Sequence, residues 1–147
     1  MTTTLSKQDF MDTIFEIAGE SSGDFKPFVF HNKAGDCIEF FVSKDDYFGE
    51  RIDDYLTLYL DMDTEQIVGF VIKNIKRILD RLSHQKSAME FVIDDGMANL
   101  RCLFTAMFAN EKPGTDQAKR ALVVREYRKV VEIAETNEIG TVELAYA

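Results

Sequence analysis

Two apolar strands joined by a short polar segment, over residues 55–72, constrain the fold of this chain more than any other feature. In residues 55–60, leucine alternates with tyrosine and threonine, a period-two pattern typical of a strand with one buried face. Residues 61–66 contain two aspartates and no apolar run, which predicts a hairpin connection. Residues 67–72 (IVGFVI) are apolar on both faces, which indicates an interior strand.

Gly69 lies in the middle of the second strand. Glycine is unfavourable there because it loses more backbone entropy on folding than other residues and has no side chain to pack. We therefore expect a β-bulge, or the close approach of another backbone, at this position. Strict alternation through the strand would place Val68, Phe70 and Ile72 on one face.

The spacing of the apolar residues becomes helical directly after this strand. Ile75, Ile78 and Leu82 recur at helical spacing, and basic residues occupy the other side of the same stretch. These basic residues are Lys73, Lys76, Arg77 and Arg81. The pattern predicts a helix whose isoleucine-rich face packs back onto the sheet.

The segments before residue 55 predict one helix and another hairpin. Ser6 and Asp9 form a capping box ahead of an apolar stripe, which predicts a helix over 7–19. Residues 25–31 and 37–43 alternate like paired strands, with Gly35 in the turn between them.

The segments after residue 82 predict mainly helices. Residues 88–93 fit either a strand or a helix, and a helix with a clear apolar face is expected after a cap at Asp94 or Asp95. After a turn at 110–114, a long helix should extend to about residue 137 with Leu122 among its inward-facing residues. Alternation in 141–146 predicts a last strand at the sheet edge.

This order of elements predicts a single α+β domain over 1–147. We expect an antiparallel sheet of four to five strands with helices packed on one face. A chain of 147 residues with 46% hydrophobic and 29% charged residues has the composition of a soluble globular domain. No apolar run approaches the roughly 20 residues that span a bilayer, and the N-terminal residues lack a secretory signal, so a cytoplasmic protein is expected. Cys37 and Cys102 are expected to be buried, reduced thiols.

Charge is distributed unevenly along the chain. Residues 1–72 contain five Lys or Arg and fifteen Asp or Glu, a net charge of −10, whereas residues 73–147 have a net charge of +1. The total of −9 disfavours binding to nucleic acid and to anionic membranes. The asymmetry is explained either by a solvated acidic surface or by an acidic face that binds a basic protein partner.

Residues 45–54 form the most unusual segment, because five acidic residues surround Tyr47, Phe48 and Ile52 there. The segment is expected to cross the surface as a long connection, and long ordered connections are often functional. If it binds a small molecule, Tyr47, Phe48, Arg51 and Asp53 are the candidate ligand-binding residues. Arg51 would clamp an anion, and Asp53 would be its partner or a base.

Specific catalytic and metal-binding signatures are missing from the sequence. His31 and His84 are the only histidines and do not have ligand spacing, and no nucleophile elbow, P-loop or dinucleotide fingerprint is present. Asp61 and Asp63 resemble the start of a calcium loop, but Ile72 stands where the bidentate glutamate would be needed. We therefore predict no catalytic residue, no metal site and no cofactor.

The residues of the organising hairpin show one resemblance. The pattern D-x-L-x-x-Y-x-D followed by V-G-x-x-I is similar to small uncharacterised bacterial hairpin domains. The matching residues are Asp54, Leu56, Tyr59, Asp61, Ile67, Val68, Gly69, Phe70 and Ile72. The resemblance covers about one-eighth of the chain and implies a reusable structural unit without a named activity.

Two hypotheses about function follow. The first is a non-enzymatic interaction or regulatory protein that acts as a homodimer, supported by the charge asymmetry and by apolar helix surfaces that exceed the needs of one core. The alternative is a small-molecule binding domain or enzyme with its site at residues 45–54.

Overall fold

The computed structural model describes residues 25–109 and 117–144. The helix predicted over 7–19 and the turn predicted at 110–114 lie outside these residues. The strands are β1 Phe28–Asn32, β2 Cys37–Phe41, β3 Tyr47–Arg51, β4 Leu56–Asp61, β5 Ile67–Lys73, β6 Ile93–Asp94, β7 Met97–Asn99 and β8 Thr141–Glu143. The helices are α1 Ile75–Ser83, α2 Lys86–Val92, α3 Leu100–Ala109 and α4 Gln117–Thr136.

The first five strands form an antiparallel sheet in the order β1-β2-β5-β4-β3. This arrangement confirms the predicted α+β class and the interior position of β5. One of the five strands is β3, which lies inside the segment that we expected to be a connection. Residues 141–143, expected at the edge of this sheet, pair instead with β7 in a separate three-stranded sheet.

Both features predicted at Gly69, a β-bulge and the close approach of another backbone, are present. A β-bulge lies beside it, because Tyr59 pairs with Gly69 while Leu60 pairs with Ile67. The carbonyl of the skipped residue, Val68, accepts hydrogen bonds from the N–H groups of Val42 and Ser43. A Cβ atom added at Gly69 would lie 2.4 Å from the Phe40 carbonyl oxygen, so only glycine fits.

The bulge changes which residues of β5 share a face. Phe70 and Ile72 pack on the face that contacts the helices, as predicted, but Val68 packs with Val71 on the opposite face. The inserted residue breaks the strict alternation on which the prediction relied.

Both faces of the sheet are buried. On the helix face, Ile38, Phe40, Leu58 and Phe70 pack against residues of all four helices. The opposite face, here called the aromatic face, carries a cluster of mainly aromatic side chains. Its members are Phe25, Phe28, Phe30, Cys37, Phe41, Tyr47, Tyr59, Val68 and Val71.

The start of α1 is fixed by the β1–β2 turn. The Asp36 carboxylate accepts a hydrogen bond from the Lys76 N–H at 2.9 Å, which satisfies one of the open donors at the N-terminus of the helix. Asn74, in a left-handed conformation, precedes the helix and donates its side-chain amide to the Asp54 carbonyl. Ile75, Ile78 and Leu82 are buried, as predicted.

The segment after α1 differs from the prediction. Residues 88–92 belong to α2, and the next helix begins at Leu100 rather than after Asp94 or Asp95. The Asn99 side chain caps it by accepting the Cys102 N–H at 3.0 Å. Residues 93–99 form the β6–β7 hairpin instead, with positive φ angles at Asp95 and Gly96.

The predicted extent of α4 is confirmed, but its burial is not as predicted. Tyr127, Val130, Val131 and Ala134 are buried, whereas no described side chain between residues 118 and 126 is buried. Leu122, expected to face inward, is 64% exposed. The first half of α4 therefore presents apolar residues to solvent.

We expect Gly69→Ala to lower the free energy of unfolding by about 2–3 kcal/mol, because a methyl group cannot fit against the Phe40 carbonyl. Urea denaturation of the purified protein measures this. Gly49→Ala is the matched control, since its Cβ would meet only the Thr57 Cγ2 atom at 3.4 Å. Equal losses in the two variants would contradict the packing argument.

Candidate functional site

The predicted site segment contains the edge strand β3. Its only strand partner among the described residues is β4, and four of its five residues are exposed. At the other edge of the sheet, β8 lies beside β1. The two edges therefore differ, and β3 is the more open one.

Hydrogen bonds at the two ends of β3 show which of its residues bond to β4. The Ile52 N–H donates to the Leu56 carbonyl at 2.9 Å, and the Met62 N–H donates to the Asp46 carbonyl at 3.0 Å. Even-numbered residues therefore bond to β4, because these bonds alternate along an antiparallel pair. The N–H and C=O groups of Tyr47, Gly49 and Arg51 consequently point to the open edge.

The two predicted aromatic residues lie on opposite faces of this strand. Tyr47 packs on the aromatic face, with its ring centroid 4.5 Å from that of Tyr59 and 5.9 Å from that of Phe41. Phe48 is paired with Leu60, whose side chain belongs to the helix face, and is 38% exposed. The structure does not bring Tyr47 and Phe48 into one site.

Asp53 joins the connection between β3 and β4 to α4. Its carboxylate accepts the Tyr127 hydroxyl at 2.7 and 2.9 Å and the N–H groups of Tyr55 and Leu56 at 2.8 Å each. The Tyr127 side chain is buried between Phe104 and Phe108, which contact its ring edge-to-face. This geometry gives Asp53 a structural role, because both of its oxygens accept internal hydrogen bonds.

Arg51 lies close to Asp53 but pairs with its neighbour. Its guanidinium forms an exposed ion pair with Asp54 and donates to the Asp53 carbonyl oxygen at 3.2 Å. Of the four predicted ligand-binding residues, Arg51 and Asp53 are thus adjacent, but they meet through a backbone carbonyl and not through their charged groups.

A groove runs between β3, β4 and β5 on one side and α4 on the other; we call it the α4 groove. Its main part has a volume of about 470 Å³ and an apolar lining that includes Leu58, Leu60, Ile67, Leu122 and Val123. A second cavity of about 360 Å³ shares Ile67 and Lys129 with it and continues along α4 to Asn137. Arg51 lines the groove, whereas Tyr47, Phe48 and Asp53 do not.

The charged groups of the α4 groove are mostly carboxylates. Glu50, Glu65 and Glu126 line the main part, together with the cations Arg51 and Lys129. Each cation already has a carboxylate partner: Lys129 lies 3.0 Å from Glu126, and Arg51 pairs with Asp54. This groove was not predicted from the sequence, because its two walls are separated by more than 50 residues of chain.

A second polar feature lies on the aromatic face. Glu39 is fully buried, and its carboxylate accepts a hydrogen bond from the Tyr59 hydroxyl at 2.9 Å. Burial and the nearby Glu39 carboxylate raise the pKa of Tyr59 well above its usual range. This hydrogen-bonded pair lies within the aromatic cluster and is shielded from solvent.

The turn after β4 contains the residues that resembled a calcium loop. The Asp61 carboxylate accepts the N–H groups of Asp63 and Thr64 at 2.8 and 2.9 Å, and these bonds lower the pKa of Asp61. The aspartate stabilises the turn itself. Within residues 25–109 and 117–144, no three His, Cys, Asp or Glu side chains converge as metal ligands. No helix in those ranges has the length and apolar character needed to cross a membrane.

Comparisons with known proteins find no relative for this chain. No model of a protein family, no curated protein and no solved structure matches it.

We expect Asp53→Ala to lower the free energy of unfolding by about 2–3 kcal/mol, because the buried Tyr127 hydroxyl and two N–H groups lose their acceptor. Arg51→Ala is the neighbouring control and should change it by less than about 0.5 kcal/mol, since its ion pair is exposed. Urea denaturation compares both variants with the wild type. A stable Asp53→Ala variant would reopen a ligand-binding role for this carboxylate.

Stability should fall as pH rises above 10, the ordinary pKa of tyrosine. Tyr59 keeps its proton in the folded state and loses it in the unfolded state, which costs up to about 1.4 kcal/mol per pH unit. In Tyr59→Phe this part of the slope should disappear, whereas Tyr55→Phe, which removes a surface hydroxyl, should retain it. Urea midpoints between pH 8 and about 11 test the expectation, and identical slopes in all three proteins would contradict it.

Proposed function

We propose that the chain is a non-enzymatic interaction module that acts as a homodimer through its β3 edge. The observation that carries the proposal is the outward direction of the backbone groups of Gly49 and Arg51. Such an edge is a template for pairing with another strand. A second copy of this chain supplies an identical strand, and closed two-fold dimers are the commonest form of self-association.

The geometry of the sheet selects one register for this pairing. In a continuous sheet, residues that lie opposite each other on neighbouring strands point to the same face. When two copies pair about a two-fold axis, one residue of β3 lies opposite the same residue of the second copy. With Gly49 opposite Gly49 of the second copy, Tyr47 faces the second copy's Arg51. The outward N–H and C=O groups of Gly49 and Arg51 then lie opposite those of Gly49 and Tyr47 of the second copy.

The side chains are compatible with the same register. Arg51 faces an aromatic ring, an arrangement favourable for a guanidinium group. Phe48 faces Glu50 of the second copy, and no like charges are directly opposed. A register centred on Glu50 would instead oppose two carboxylates and leave fewer backbone groups paired, which makes it the weaker arrangement.

The non-enzymatic part of the proposal is supported by how the polar side chains are used. Asp53, the residue best placed to act as a base in the predicted segment, accepts hydrogen bonds that hold its own turn and Tyr127. Asp61 likewise stabilises its own turn. The small-molecule alternative at residues 45–54 stays a prediction, with Arg51 as its remaining anion-binding group.

Light scattering coupled to size exclusion, at tens of micromolar protein, should give the mass of a dimer. Gly49→Pro removes one outward N–H group without breaking a bond to β4, and proline is tolerated on such an edge. This variant should be monomeric with a melting temperature near that of the wild type. Gly49→Ala keeps the N–H group and should remain dimeric.

Salt provides a second readout of the same contact. Acidic residues surround the edge, so two copies repel each other there and raising NaCl from about 50 to 500 mM should strengthen the dimer. A monomeric wild type at both salt concentrations would overturn the homodimer. A dimeric Gly49→Pro variant would place the contact elsewhere.

A further inference from the structure

The first half of α4 presents apolar side chains that the described part of the chain does not fully bury. Val123 and Val124 are half-buried, and Ala121 and Leu122 are exposed. Leu122 is 64% exposed and stands at the wall of the α4 groove. Apolar surface that rims a groove in this way marks a binding site for another protein segment.

The dimensions of the groove fit a helix lying alongside α4. Its lining residues on α4 extend from Leu122 to Thr136, which corresponds to about 21 Å of helix. The floor is apolar, formed by Leu58, Leu60 and Ile67 of the sheet. A helix of about four turns would place one apolar stripe on this floor, as in other helix-in-groove complexes.

The charges of the groove identify the kind of helix. Glu126 and Lys129 neutralise each other, and Arg51 is paired with Asp54, so Glu50, Glu65 and Glu132 remain without an ion-pair partner among the described residues. None of the three arginines of α4 lines the groove. Arg128 lines the cavity facing α3, Arg120 donates to the Phe108 carbonyl, and Arg125 is exposed. The rim therefore favours cationic side chains.

We propose that the α4 groove binds a basic amphipathic helix of a partner protein, with apolar residues on Leu60, Ile67 and Leu122 and Lys or Arg beside Glu50 and Glu65. The inference rests on the proposed interaction function and names its partner class. The α4 groove shares Glu50 and Arg51 with the β3 edge, but here the contact is made by side chains of the sheet and of α4, whereas the proposed dimer pairs through backbone groups.

The test uses a fluorescein-labelled peptide of about 18 residues, with leucine at helical spacing and lysine elsewhere, titrated with the full chain. Fluorescence anisotropy should show saturable binding that weakens as salt rises. Peptides of the same composition in scrambled order, or with glutamate replacing lysine, should bind at least about tenfold more weakly. The scrambled peptide controls for simple attraction to a chain of net charge −9.

Variants locate the binding on the protein. Leu122→Ser should weaken binding of the amphipathic peptide about tenfold. Phe91→Ser, at a residue on α2 that is 57% exposed, should leave this binding unchanged. Glu50→Gln should weaken binding, and Glu143→Gln on β8 is its matched control. Both serine substitutions are at exposed positions, so the folded state should be retained.

Each outcome separates this inference from the homodimer. Equal binding of the scrambled peptide, or of the Leu122→Ser variant, would overturn the groove as the site. A change of oligomeric mass in Leu122→Ser would mean that a second copy fills the groove, which also overturns it. If the wild type is a dimer but does not bind the peptide, only this inference is wrong. If the wild type is a monomer and binds the peptide, only the homodimer proposal is wrong.

Discussion

The close approach of β5 to β2 at Gly69 is the constraint on which the rest of the structure depends. A Cβ atom there would lie 2.4 Å from the Phe40 carbonyl oxygen, so the two central strands pair only because that side chain is missing. The adjacent bulge turns Val68 to the aromatic face while Phe70 remains on the helix face. A sheet buried on both faces follows, with four helices on one face and the Glu39–Tyr59 pair within the other.

Several acidic residues of this chain stabilise its architecture. Asp36 caps α1, Asp53 holds both its own turn and Tyr127, and Asp61 closes the turn after β4. Each of these carboxylates accepts at least one backbone N–H group. The many acidic residues of this chain are therefore not in themselves a sign of an active site, because several of them hold the turns and connections between strands and helices in place.

The surfaces left open differ in chemistry. At the β3 edge, backbone donors and acceptors face solvent, and an identical strand satisfies them whatever its side chains are. In the α4 groove, apolar side chains and carboxylates are exposed, and these discriminate between partners by shape and charge. The backbone groups of the β3 edge are those that we propose for self-association, and the side chains of the α4 groove are those that we propose for recognition of a different protein.

The sequence by itself determined the elements whose pattern is local: the hairpin of β4 and β5, the special role of Gly69, the buried stripe of α1 and the extent of α4. It did not reveal β3, because an edge strand exposed to solvent has no alternation of apolar and polar residues. The β6–β7 hairpin was missed although Asp95 and Gly96 form a favourable turn pair. Only the tertiary structure decided the contact between Asp53 and Tyr127, 74 residues apart, and the exposure of Leu122. Both depend on how distant elements pack, which periodicity along the chain does not encode.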